Sequence, residues 1–222
     1  MYKFLIKRII DLIVSIVLLL ILSPLFIIII FILRLTGEGQ VFYFQERIGY
    51  KNQKFKIIKF ATMIKNSPNI GSGSLTLRND PRVLPFGRFL RKTKINELTQ
   101  IINVLLGDMS IVGPRPQMEI DFLCYSIDIR NLIYNSKPGI TGIGSVIFRD
   151  EESFISKSKD PRKFYKNKIA PYKGRLELWY LNNLSFYNDI KIILLTLWVI
   201  LYPKSNLQYS MIKDLPKNPS HS

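Results

Sequence analysis

The chain has 222 residues and a formal net charge of +16, yet 47% of it is hydrophobic. That length suits one compact domain with appendages, and a composition both basic and apolar points to a membrane-surface protein that handles anions, with a nucleic-acid binder as the competing class. The single cysteine, Cys124, excludes an internal disulfide framework and a multi-cysteine metal site, and the single histidine, His221, lies in a polar tail, which argues against histidine catalysis and histidine-ligated zinc.

From Ile9 to Leu33 the chain is apolar except for Asp11, Ser15, Ser23 and Pro24. As a helix its roughly 25 residues reach across a ~30 Å hydrocarbon layer. Lys3, Lys7 and Arg8 precede the run, and Arg34, Arg47, Lys51, Lys54, Lys56 and Lys59 follow it. Cations on both flanks favour two cytoplasmic ends. Ser23-Pro24 at the midpoint supplies a break, since proline lacks one helical donor and the serine hydroxyl can satisfy the freed carbonyl. A helix–break–helix hairpin dipping into one leaflet is therefore expected, with a kinked spanning helix as the alternative.

Val41–Phe44 and Phe55–Phe60 read as short strands with a turn at Arg47-Ile48-Gly49-Tyr50. Lys56 and Lys59 straddle the second strand, where they form a solvated edge or face lipid headgroups. The Ser/Gly/Asn-rich stretch Asn66–Asp80 reads as a loop, either a lid over a nucleotide or a plain linker. Pro81–Lys94 interleaves Arg82, Arg88, Arg91, Lys92 and Lys94 with Phe86 and Phe89; no nucleic-acid motif surrounds it, so a helix lying at a bilayer surface explains it better.

Arg91–Pro116 is the most informative stretch. Thr93 is placed to cap a helix with Asn96 three residues on, and Ile95, Leu98, Ile102 and Leu105, with Ile101 and Leu106 beside them, predict one buried face. Gly107 supplies a left-handed stop, Asp108 either caps the next turn or supports a metal, and Pro114 and Pro116 stiffen the loop carrying Arg115. Glu97, Asp108 and Arg115 so disposed suit phosphate handling; an amphipathic core helix with a proline-rich turn is the plain alternative.

Glu119–Asn135 predicts a helix burying Phe122, Leu123, Ile127, Leu132 and Ile133. Pro138–Gly142 reads as a tight loop whose amides either face phosphate or close an ordinary turn. Asp150-Glu151-Glu152 is the acidic first turn of a helix, with metal binding as the lesser reading. Gly174–Asn183 reads as a helix, Ile190–Tyr202 as a buried or interface helix too short to span, and the tail from Pro203 as flexible.

GDMSIVGPRP after a NEL-type helix resembles the signature of the bacterial sugar transferases known as monotopic phosphoglycosyl transferases. The likeness extends to the basic, Asp-containing apolar N-terminus with its Ser-Pro break, FKIIKFATM, NDPRVLPFGRFLRKTK, PGITG and YLNNLSFYNDIKII, over about residues 3 to 202. It implies an α/β, mostly helical fold: a re-entrant membrane hairpin (1–36), a cytoplasmic sugar transferase domain (37–202) and a flexible tail (203–222), at the cytoplasmic face of a bacterial inner membrane. It implies transfer of a phosphosugar from a UDP-sugar to undecaprenyl phosphate, releasing UMP, at the start of surface polysaccharide or glycoconjugate synthesis. It also places Lys59 near the active site and Glu177 where the family often has Asp. The oligomeric state is left open, a homodimer included, and no nucleic-acid partner is implied.

Within that reading Arg88, Arg91 and Arg115 clamp diphosphate oxygens, and Glu97 is the best Mg²⁺ ligand, because a carboxylate plus substrate phosphates commonly holds this ion. The departure is Asn96. The family pattern puts an attacking Asp there, and a neutral amide is a far weaker nucleophile. Three outcomes follow: Glu97 attacks instead, the acceptor phosphate attacks directly, or the chain is a silent relative that binds donor or scaffolds a pathway. Direct attack ranks first, since it keeps both the clamp and the metal ligand in use.

Overall fold

The computed structural model describes residues 5–67, 70, 80–156, 158–203, 205–212 and 214–216. Most of the proposed lid, the end of the tail with His221, and Lys3 lie outside these. Among the described residues the architecture is mostly helical, with two two-stranded sheets and one long apolar helix near the N-terminus.

Helix α1 (Lys7–Leu35) runs through Pro24 as one element rather than as two helices. Proline at 24 has no N–H for the carbonyl of Leu20, and Ser23 Oγ donates to that carbonyl at 2.9 Å. The break expected at Ser23-Pro24 thus appears as a local repair inside a continuous helix. Lys7, Asp11, Ser15, Phe26, Ile29 and Leu33 form its buried stripe, while Val17, Leu20, Ile21, Ile27 and Phe31 are exposed. Both ends dock on the same body. At the start, Arg8 donates to the Val104 and Leu105 carbonyls, Lys7 pairs with Asp189, and the Ile111 N–H donates to Asp11 Oδ1. Toward the end, Phe26 meets Phe60 edge-on at 5.5 Å.

Strands β1 (Phe42–Ile48) and β2 (Lys54–Phe60) form an antiparallel hairpin with Tyr43 opposite Lys59 and Arg47 opposite Phe55. Arg47 and Ile48 therefore belong to the strand, and the turn comes later, with Lys51 and Asn52 at positive φ. Helix α2 (Pro85–Lys92) places Pro85 in its first turn. Thr93 closes this helix instead of opening the next, its Oγ1 donating to the Phe89 carbonyl at 2.8 Å. Lys94 is left-handed, and a 3₁₀ turn (Ile95–Gln100) leads into α3 (Ile101–Leu106), ended by left-handed Gly107 as the sequence predicts.

The buried face of this unit differs from the expected one. Asn96, Thr99, Gln100 and Asn103 are buried along with Ile101 and Val104; Ile95, Leu98, Ile102 and Leu105 are only half-buried, and Leu106 is exposed. The polar side chains serve as a substitute strand. Thr99 Oγ1 donates to the Ile58 carbonyl, the Ile58 N–H donates to Asn103 Oδ1, and Asn103 Nδ2 donates to the Lys56 carbonyl, all within 2.9 Å. They satisfy the free edge of β2, which would otherwise present unpaired backbone groups. Ile95 and Leu98 instead pack toward Phe26, Ile29 and Leu33 of α1.

Strand β3 (Ser110–Val112) pairs in parallel with β4 (Gly139–Thr141). Gly139-Ile140-Thr141 is thus a strand rather than a loop, and the Gly139 N–H is spent on the Pro114 carbonyl rather than on a ligand. The helix expected over Glu119–Asn135 is two pieces, α4 (Glu119–Phe122) and α5 (Ile127–Leu132), separated by extended Ser126. That break re-phases the chain: Phe122 and Ile133 are buried as expected, with Tyr125 and Ile129, but Leu123, Ile127 and Leu132 are exposed.

After α6 (Ile143–Ile147), α7 (Glu151–Ser156) and α8 (Pro161–Phe164), a π turn leads into α9 (Ala170–Asn182), which starts before the expected Gly174. Helix α10 (Phe186–Leu201) is capped by Ser185 and buries Ile192, Leu195 and Val199. The segment beyond Pro203, expected to be flexible, contains α11 (Leu207–Met211), and Leu207, Met211, Ile212 and Leu215 pack into the same core.

Candidate active site

A cleft of roughly 1420 Å³ runs between the β1–β2 hairpin, α2, the 3₁₀ turn and the Arg115 loop. Three separated stretches meet in it. Lys59 comes from β2, Glu97 from the 3₁₀ turn, and Arg115 from the loop after β3. Lys59 Nζ lies 3.2 Å from Glu97 Oε1; Arg115 Nη2 lies 3.0 Å from the same oxygen and Nη1 3.3 Å from Oε2. One carboxylate is thus gripped by two cations.

Burial works against the Glu97 carboxylate, but Arg115, Lys59 and Lys94 outweigh it and hold its pKa well below the usual range. Arg115 is shifted up, chiefly by Glu97. Lys59 is pushed down to about 7 by burial, only partly relieved by Glu97. The cluster is therefore rich in positive charge, with a single anion among its closest members.

The Arg115 loop is fixed from below. Its N–H faces Glu177 Oε1 at 3.4 Å and its carbonyl accepts from the Tyr134 hydroxyl at 2.9 Å. Glu177, on α9, has no solvent exposure, and burial lifts its pKa to about 7. It supports the backbone of Arg115 and does not join Lys59 and Glu97 directly. Gly144 leaves room for this carboxyl, since a Cβ there would come within 2.3 Å of Glu177 Oε1.

Asn96 is buried, lines the cleft, and its Oδ1 has no hydrogen-bond partner among the described residues. Arg88 and Arg91 also line the cleft but stand apart from the cluster: Arg88 is exposed, and Arg91 Nη1 faces Met63 Sδ at 3.9 Å. Asp108 is half-buried, with its N–H on the Asn103 carbonyl. Glu151, from the acidic Asp150–Glu152 run, takes Lys173 Nζ at 2.6 Å. Among the described residues no group of three acidic, His or Cys side chains is arranged to hold a metal.

Sequence reasoning missed Arg47 and Lys173. Arg47 lines the cleft near Arg115; its pKa is lowered by burial and by that neighbour, and its Nη2 donates to Gln45 Oε1. In the sequence it stands only as one of the cations after the apolar run, in an expected turn. Lys173 carried none, because one lysine near a helix start is ordinary.

The family model described as bacterial sugar transferase matches residues 2–203. The chain belongs to that family. It is 34% identical over 209 residues to a UDP-galactose-lipid carrier transferase of Erwinia amylovora, covering 88% of this chain and 40% of the relative. It is 34% identical over 176 residues to the exopolysaccharide production protein ExoY of Rhizobium meliloti, covering 72% and 77%. It is 33% identical over 196 residues to an undecaprenyl-phosphate glucose phosphotransferase of Komagataeibacter xylinus, covering 86% and 35%. The chain spans about two fifths of the length of the first of these relatives.

Proposed function

We propose that this sugar transferase moves a phosphosugar from a UDP-sugar to undecaprenyl phosphate at a membrane surface. The observation that carries the reading is the Lys59–Glu97–Arg115 cluster, a cationic clamp in a cleft large enough for a nucleotide sugar. The names of the relatives support the acceptor and the reaction type. An oxygen of the acceptor phosphate attacks the β-phosphorus of the donor. The bond from that phosphorus to the bridging oxygen breaks, UMP leaves with the bond's electron pair, and a lipid diphosphate sugar forms. Arg115 and Lys59 neutralise the charge that spreads over the transferring group.

We keep Mg²⁺ as the proposed cofactor: Glu97 and Asn96, whose amide oxygen is unpartnered, both line the cleft and, with donor phosphates drawing Arg115 off the carboxylate, would make an all-oxygen set. When bound, it would offset diphosphate charge. The docking of both ends of α1 on one body supports the two ends lying on the same, cytoplasmic side, with the exposed apolar face in one leaflet. Cysteines at 5 and 38 should then be labelled only from the cytoplasm, and periplasmic labelling of either would contradict it.

The test of function is UMP release by the purified full chain with Mg²⁺, undecaprenyl phosphate and a panel of UDP-sugars. Turnover dependent on the lipid supports the reading. Asn96 motivates a second one, a silent relative that binds donor without turnover; donor binding with no UMP release would favour it.

A further inference from the structure

The cleft does not stop at the clamp. Its wall continues past Arg115 to Ser145, Phe148, Glu151 and Lys173. This wall is built tightly: Lys173 is 2% exposed, pairs with Glu151 at 2.6 Å, and sits 5.9 Å from the rings of both Phe148 and Tyr165. A Cβ at Gly144, the residue before Ser145, would meet both Glu177 and Lys173.

Buried polar atoms are normally hydrogen-bonded. Ser145, which lines the cleft, is an exception: its Oγ has no partner among the described residues, and behind the wall Glu177 Oε2 and the Tyr165 hydroxyl also lack one. The lining thus offers the Ser145 hydroxyl, able to donate and accept, beside the Glu151 carboxylate, an acceptor. The charges of the wall, Arg149 and Lys173 against Asp150 and Glu151, cancel each other, which suits a neutral ligand better than a second phosphate. The Arg115 N–H faces the other oxygen of Glu177, so this wall and the phosphate clamp share one loop.

We infer that the Ser145–Glu151–Lys173 wall is the subsite for the donor's sugar, taking a neutral polyhydroxylated ring against Phe148 with its hydroxyls on Ser145 and on the Glu151–Lys173 pair. The inference rests on the donor reading above: a sugar attached directly to the clamped β-phosphate reaches no farther than this neighbouring wall. A uracil base is the competing occupant of the same place.

The experiment is calorimetric titration of the full chain in nanodiscs with UDP, UDP-galactose, UDP-glucose and UDP-N-acetylgalactosamine. At least one nucleotide sugar should bind more tightly than UDP. Ser145→Ala and Glu151→Gln should each weaken that sugar nucleotide by about threefold to tenfold, the effect of one or two lost hydrogen bonds, and leave UDP nearly unchanged. Ser145→Ala removes an unpartnered hydroxyl, so its thermal midpoint should not fall, which separates lost binding from misfolding. Equal weakening of UDP would assign the wall to the base or phosphates and overturn the inference. So would variants that bind every ligand as the wild type does, or a wild type with no preference for any sugar nucleotide over UDP. A wild type that binds neither UDP nor the sugar nucleotides would overturn the donor reading itself.

Discussion

Arg115 faces both carboxylate oxygens of Glu97, although the two residues stand 18 positions apart and on different elements. The paired geometry depends on a planar guanidinium whose backbone is held between Pro114 and Pro116 and on Glu177. The carboxylate occupies the fork; the proposed donor would bring phosphate oxygens to compete for the same face.

Arg115→Lys keeps the charge and loses the fork. It should lower kcat/KM for UMP release by roughly tenfold or more, on the order of 1.4 kcal/mol. Unchanged kinetics would return the loop to a purely structural role.

Asn96 offers the chemistry no carboxylate. Native protein mixed with labelled donor and no polyprenyl phosphate should therefore form no covalent phosphosugar adduct. Asn96→Asp should give a burst of UMP without acceptor, because a carboxylate nucleophile opens a two-step route. An adduct trapped on Glu97 in the native protein would sink direct displacement.

Lys59, with its pKa lowered to about 7 by burial, is half deprotonated near neutrality. A bound diphosphate favours the ammonium form. Donor binding at pH 8 should therefore take up a proton, visible as a dependence of the binding enthalpy on buffer ionisation enthalpy. Lys59→Arg should abolish that dependence; its persistence in the variant would place the proton elsewhere.

Glu177 has a pKa raised by burial to about 7 from 4.5, so the folded chain holds its proton more tightly than the unfolded chain. Its contribution favours folding below about pH 4.5 and is lost as pH rises to about 7. Relative to Glu177→Gln, the wild type should lose stability across that window, by up to roughly 3 kcal/mol. Chemical denaturation at pH 5 and pH 8 measures the difference; parallel curves for the two proteins would show that the carboxyl is ionised throughout.

Asn103→Ala should destabilise the fold by about 2 kcal/mol, since it strands the Ile58 N–H and the Lys56 carbonyl at a half-buried edge. A loss below about 1 kcal/mol in urea titration would mean that water reaches this edge and replaces the amide.

Much of the local structure was written in the sequence, because it depends on neighbours in the chain. The apolar run makes α1, the alternating stretches make the β1–β2 hairpin, Gly107 ends α3, and Glu97 and Arg115 stand out by their settings. The motifs between residues 3 and 202 were sufficient for the family. Where periodicity misled, tertiary contact was the reason. Ile95 and Leu98 are apolar to meet α1, while Asn96, Thr99 and Asn103 turn inward to a strand edge and the cleft. A helical wheel cannot distinguish such a polar interior from a solvated face.

Only the tertiary structure decided which charges meet. Lys59 and Glu97 are 38 positions apart, and Arg115 and Glu177 are 62 apart, so no local rule couples them. Arg47 and Lys173 looked like ordinary cations until folding brought Arg47 into the cleft and buried Lys173. A charged side chain is given its role by the dielectric and the partners around it, and both are set by chain segments remote in sequence.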